Sequence, residues 1–232
     1  MDKFADGLTW YIIFLFSTTL HEASHAFISY KFGDRTAYEG GQVSLNPVPH
    51  VKREPFGTVV VPILSFLLGG WMIGWASAPY NVNWAMTYPK KSAAMALGGP
   101  LANLSILLLC AIVIRLGISS DIFYAPDSIN VSTITRAYEG GIYAAMAKFL
   151  SIGFSLNLIL FTFNLLPIPP LDGSAIIKFF MPDEFARKYM NFVYQPGIGI
   201  IGILVAWNLF DHIYFKALLF FINLLYPENH YE

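Results

Sequence analysis

The sequence predicts an all-α, multi-pass membrane protein with about four transmembrane helices, a further re-entrant or hairpin segment, and short β-strand elements near its functional centre. Three observations carry that expectation. Of 232 residues, 56% are hydrophobic and only 12% charged, a balance suited to lipid rather than water. Several apolar runs reach the roughly 20 residues that a helix needs to cross a bilayer core. The polar stretches between them are short, whereas a soluble substrate-reading domain would take about 80 residues. The chain therefore reads as one integral membrane domain over residues 1–232, with a core at 8–178 and C-terminal membrane segment(s) at 196–226.

Residues 8–27 form the first span and contain His21-Glu22-Ala23-Ser24-His25. Residues four apart share one face of a helix, so both imidazoles can offer a nitrogen to one metal ion, with Glu22 beside it as a base. In a soluble helix this short pattern arises readily by chance. Inside hydrocarbon, ionisable groups are expensive and mark function. At about 100° per residue, Ser17, Thr18, His21, Glu22, Ser24, His25 and Ser29 share one half of the wheel. Ile12, Phe16, Leu20, Ala23 and Phe27 share the other, which is assigned to lipid. A cleaved signal peptide is rejected, since residues 1–6 lack a basic region and cleavage would remove the motif.

Residues 31–55 are polar, and Gly41 to Leu45 reads as a short strand stopped by Asn46-Pro47. Residues 56–78 are apolar but broken by Pro62, Gly69-Gly70 and Gly74, which suits either one crossing or a hairpin. Residues 73–83 read as extended. A clear span follows at 92–116, opening with Gly98-Gly99-Pro100-Leu101-Ala102-Asn103, then a polar loop at 117–140 and a span at 142–166. Residues 174–194 hold a short apolar patch and then charges, and are expected to lie at the membrane interface. The last run, 196–226, is interrupted by Asp211-His212 and exceeds the roughly 30 Å core as a straight helix, which predicts a tilt, a break or two half-segments. A formal net charge of −1 without a dense basic run argues against nucleic acid as a partner. The single cysteine, Cys110, lies in an apolar span and reads as a packing residue.

A catalytic zinc takes three protein ligands and keeps one position open. Asp172 is the strongest candidate for the third: it closes an apolar span, and Pro167, Pro169 and Pro170 stop regular helix just ahead of it. The alternative is an aspartate that caps a following helix from Ser174. Glu39, Glu54, Glu139, Glu184 and Glu228 all fall in polar loops or tails. The ligand set by itself admits several borderline ions besides zinc.

Together, His21-Glu22-x-x-His25, Gly99-Pro-Leu-Ala-Asn103 and Asn164-Leu-Leu-Pro-Ile-Pro-Pro-Leu-Asp172-Gly173 resemble the site-2 protease family of intramembrane zinc metalloproteases, in particular its compact branch without a PDZ domain. The resemblance covers about residues 10–178. It implies one Zn2+ per chain held by His21, His25 and Asp172, with Glu22 as general base and an oxyanion-stabilising amide at Asn164. It also implies a membrane-protein substrate hydrolysed in the lipid bilayer, and it leaves the oligomeric state open. The chain departs from the family at its usual short His-x-Asp-Pro stretch, which here is His50-Val-Lys-Arg-Glu54-Pro55. His50 accordingly reads as a loop histidine that gates or is solvated.

Geometry constrains the topology. The histidine pair and Asp172 each lie toward the C-terminal end of a span, so those helices must run parallel to share one ion. A full crossing by 56–78 would make them antiparallel, so that stretch is expected to return to its own side, broken at Gly69-Gly70. Nine basic residues (Lys31, Arg35, Lys52, Arg53, Lys90, Lys91, Lys178, Arg187, Lys188) then oppose Lys3, Arg115 and Arg136, whereas a full crossing splits the same twelve evenly. The positive-inside bias puts the site toward the cytoplasmic face.

A substrate helix has its carbonyls already hydrogen-bonded and must unwind before hydrolysis. Strand addition to an exposed edge is the expected device, with Gly41, Val43 and Leu45 or Ile73 and Trp75 as docking residues. The competing class is a non-catalytic metal-binding membrane scaffold or transporter, for which loss of Glu22 would be harmless.

Overall fold

The computed structural model describes residues 3–229 and 231. Its elements run α1 (Lys3–Lys31), α2 (Thr36–Glu39), α3 (Pro47–Arg53), a π-helical turn (Phe56–Val60) continuing into α4 (Val61–Gly69), α5 (Val82–Thr87) and α6 (Pro89–Ser119). They continue with β1 (Phe123–Tyr124), β2 (Arg136–Ala137), α7 (Ile142–Asn164), α8 (Asp172–Ile176) with a 3-10 turn (Ile177–Phe180), α9 (Asp183–Val193) and α10 (Ile198–Leu225).

α1 stays helical through its polar residues in part because the helix itself takes up several of their hydroxyls: Thr18 Oγ1 donates to the Phe14 carbonyl and Ser24 Oγ to that of Leu20, each at 2.8 Å. Ile12, Phe16 and Phe27 are about half exposed, as expected of a lipid face. Ala23 is a correction: it is buried, because the protein wraps more of α1 than the half-wheel allowed.

Contacts ascend together along α1 and α7. Asp6 pairs with Lys148, Trp10, Ile13 and Phe14 cluster with Ile152 and Leu156, and Ser17 meets Asn157. The two helices are parallel, as a shared ion requires. On α6 the order reverses, with Met95 at His25, Gly98 at Ser24 and Asn103 at Ser17. α6 therefore lies antiparallel against α1, and Asn103 also reaches α7 at Asn157.

The 56–78 stretch turns back on itself. Its two helical pieces are 5 and 9 residues long. Together they reach roughly 21 Å, short of a bilayer core. Gly70, at φ 75°, ends the helix, and the chain returns extended. Trp75 N–H donates to the Gly57 carbonyl at 3.1 Å, and Ser77 Oγ donates to Glu54 at 2.6 Å while accepting from Arg53 at 3.2 Å. Both ends of the hairpin thus lie together, and Asn81 N–H ties the return strand to Asp34, just past the end of α1, at 2.8 Å.

The β elements are not where the sequence reading put them. Gly41 to Leu45 forms turns and bends, and 73–81 is extended but belongs to no sheet. The two-stranded sheet pairs Phe123 with Ala137 and Tyr124 with Arg136, inside the stretch read as a polar loop. The pattern at 41–45 was too short to show whether a partner strand lay within reach, and pairing decides strand formation. His50 is also corrected: it is buried, and its Nε2 donates to the Ser44 carbonyl at 3.1 Å.

Among the described residues, two helices can cross a membrane by length and composition, α6 and α7, and a third span counts if α9 and the first half of α10, bent by 91°, are taken as one. α1 is long enough, but the polar face that bears its motif dilutes its hydropathy. Residues 211–212 do not interrupt α10, a continuous helix of 28 residues. The close approach of α10 to the proline loop needs a glycine, since a Cβ at Gly202 would collide with the Pro169 carbonyl. Leu166 and Leu171 cluster there with Ala206. The C-terminal helix thus braces the loop that ends in Asp172.

Candidate metal centre

Two turns of α1 place His21 and His25 one above the other, with their Nε2 atoms 3.0 Å apart. Asp172, the first residue of α8, brings Oδ2 to 3.2 Å from one and 3.3 Å from the other. A tetrahedral ion bound at about 2.0–2.1 Å sets its ligand atoms about 3.3–3.4 Å apart, so this triangle has the size of a zinc site. Its chemistry agrees. The outer nitrogen of His25 faces the Met95 carbonyl at 2.8 Å, and that of His21 faces Asn103 Oδ1 at 2.5 Å. With Nδ1–H donating outward, both Nε2 atoms present lone pairs inward. Asp172 Oδ2 is buried and accepts no hydrogen bond from any described residue. Two imidazole nitrogens and one carboxylate oxygen thus converge, a donor set that suits a cation.

The capping alternative for Asp172 does not hold. Leu171 occupies the N-cap of α8, and no side-chain cap bond is made. The proline loop instead delivers the carboxylate sideways, between α1 and α6.

Glu22 is buried beside the triangle, 3.9 Å from His21 Nε2, and hydrogen-bonds to no described residue. His21, Glu22 and His25 can each present an atom within 4.8 Å of the others. Asp172 nevertheless sits closer to both imidazoles than Glu22 does to His21, so Asp172 closes the triangle and Glu22 stands outside it.

Other residues matter that the sequence reading did not assign. Gly99 on α6 faces the centre, where a Cβ would meet Nε2 of both histidines. Asn103 and Asn157 are fully buried and bonded to each other at 2.9 Å. The signal was present: polar residues inside apolar spans are costly and are kept for a reason.

Asn164 is not brought to the triangle. Its amide donates to the Leu160 carbonyl at 2.9 Å, turned back along α7. The return strand does pass the site. Gly74 packs on the Phe14 ring and Asn81 binds Asp34, so 74–81 runs alongside α1 from the level of residue 14 to that of 34. Interpolation between those two contacts puts the middle of this stretch, around Ser77, level with the histidine pair. Ile73 and Trp75 stand just before that point. Their amides are taken, by Ser65 Oγ at 3.0 Å and the Gly57 carbonyl at 3.1 Å. Among the described residues, no backbone group of 76–80 has a hydrogen-bond partner. Gly41, Val43 and Leu45 are joined to the triangle by no hydrogen bond.

The family model for Peptidase family M50 matches residues 9–207. The chain belongs to peptidase family M50. Relatives that bear zinc metalloprotease names agree with that membership. YwhC of Bacillus subtilis is 33% identical over 201 residues, covering 84% of this chain and 78% of its own length. Rip2 of Mycolicibacterium smegmatis is 27% identical over 209 residues, covering 90% and 71%. Rip2 of Mycobacterium tuberculosis is 32% identical over 199 residues, covering 83% and 67%. No solved structure matches the chain. This M50 peptidase is a zinc metalloendopeptidase of the site-2 protease type, from an intramembrane family, with apolar helices that can cross a membrane.

Proposed function

We propose that this M50 peptidase hydrolyses peptide bonds within transmembrane-helix substrates, with His21, His25 and Asp172 holding one zinc ion and Glu22 as general base. The observation that carries the reading is the triangle of two imidazole nitrogens and one buried carboxylate oxygen, edges 3.0, 3.2 and 3.3 Å, with Glu22 just outside it. A zinc ion bound there supplies Lewis acidity and an acidified water. Glu22, free of other partners, takes a proton from that water and returns it to the leaving amine nitrogen. Asn164 turns its amide from the Leu160 carbonyl toward the scissile carbonyl oxygen, where a positioned donor stabilises developing charge. An unwound substrate pairs with the free backbone of the return strand next to Ile73 and Trp75, and Gly41, Val43 and Leu45 form a secondary contact. α1 and α10 cross with α6 and α7, while α9, at right angles to α10, lies along the cytoplasmic surface, so the site faces that side.

Glu22→Gln tests the assignment. The purified variant is expected to keep about one zinc per chain while cleavage of a transmembrane-helix reporter falls by roughly 10²–10⁴-fold, the range general acid–base groups supply. Undiminished cleavage would overturn it and favour the scaffold class. The return strand has its own test. Ala76→Pro removes an amide that no protein group uses, so zinc and folding should persist while reporter cleavage drops about tenfold or more. Unchanged cleavage would move substrate docking elsewhere.

A further inference from the structure

The hydrogen bonds behind His21 form a directed chain that ends on a backbone carbonyl of a different helix. Asn157 Nδ2 donates to the Gly153 carbonyl at 2.8 Å and to Ser17 Oγ at 2.9 Å. A carbonyl can only accept, so the amide nitrogen of Asn157 must face it, and Oδ1 must face the other way. That oxygen receives Asn103 Nδ2 at 2.9 Å. Asn103 Oδ1 is thereby turned to His21 Nδ1 at 2.5 Å, where it can only accept. Asn103 Nδ2 also points at the Ser17 carbonyl, 3.5 Å away, which fixes the same sense. Every amide orientation follows from Gly153, and the last link requires the proton of His21 to sit on Nδ1. Asn103, Asn157 and Ser17 are all fully buried, so water does not compete for these bonds.

We propose that Asn157, acting through Asn103, is a positioning residue that fixes the tautomer and ring plane of His21, making α7 part of the metal centre. His25 needs no such chain, because its Nδ1 meets the Met95 carbonyl directly. The two histidines are thus oriented by different means, one within α6 and one through α6 into α7. The inference rests on His21 being a ligand.

Zinc affinity of the purified protein, measured by chelator competition, tests it together with 15N spectra of histidine-labelled, metal-free protein. Asn103→Leu is expected to weaken zinc binding by roughly 10–100-fold, as losses of such outer partners do. Asn157→Leu, one bond further out, is expected to weaken it about threefold to tenfold, and to shift His21 toward mixed tautomers while His25 is unmoved. Asn157→Ser keeps a hydroxyl for the Gly153 carbonyl but cannot reach Asn103, so it gives the same result in a variant that disturbs packing less. Because Asn157 acts through Asn103, the double Leu variant should bind zinc within about twofold of Asn103→Leu alone; residues acting independently would add. Additivity, or wild-type affinity and spectra in both Asn157 variants, overturns the proposal. If the wild-type protein binds no zinc, or His21→Ala binds as well as wild type, the ligand assignment itself has failed, which is a different outcome.

Discussion

Asp172→Asn is expected to empty the metal centre. The substitution keeps the shape of the side chain and removes its charge, so packing of α8 against α6 should survive while two neutral imidazoles are left to hold a dication. Losing an outer partner costs roughly 10–100-fold in metal affinity, and losing a charged ligand should cost more than roughly 100-fold. Purified wild-type protein should carry about one zinc per chain and the variant little or none after dialysis against a weak chelator. Zinc retained in Asp172→Asn would mean that Glu22, which also stands close to the imidazoles, completes the site instead. The carboxylate would then be structural and Glu22 unavailable as a base.

Gly99→Ala should have an effect of similar size for a different reason. A methyl group at that position collides with both Nε2 atoms, the two nitrogens proposed to hold the ion. Relief requires α6 to back away from α1, giving up the contact of Gly98 with the Ser24 backbone, or the imidazoles to swing aside; either movement breaks the bonds of the imidazoles to Asn103 and Met95. Zinc content is expected to fall to background in a folded protein. Gly98→Ala is the control: its Cβ meets Ile28 and the Ser24 carbonyl but neither histidine, so it should lower thermal stability yet leave zinc in place. Equal zinc content in the two variants would refute a direct steric role for position 99.

The candidate metal centre was readable because residues four apart on a helix must share a face, and because charged side chains inside an apolar run need a functional explanation. His21, Glu22 and His25 follow from that alone. Asp172 followed from the need for a third ligand and from prolines that end a helix at the right place. The parallel course of α1 and α7 and the return of 56–78 followed in turn, since a single ion cannot be shared across antiparallel ends. These were inferences about what one local element can do, or about what one ion demands of two.

What depended on partners distant in sequence was not readable. Gly41 to Leu45 looked like a strand but pairs with no strand among the described residues, whereas the backbone of 76–80 is left without hydrogen-bond partners among them. Asn164 carries the right amide yet points back along its own helix. Asn103 and Asn157 stood out as polar residues inside apolar spans, but their duties and that of Gly99 could not be assigned, because those duties consist of distances to α1 that exist only once three helices have packed. The sequence by itself put His21, Glu22 and His25 on one helical face and singled out Asp172 as the candidate third carboxylate, through helical periodicity and the cost of burying charge. Only the tertiary structure decided how those ligands are oriented and which edge lies beside them, because hydrogen-bond direction and close approach are properties of packed helices and not of any one of them.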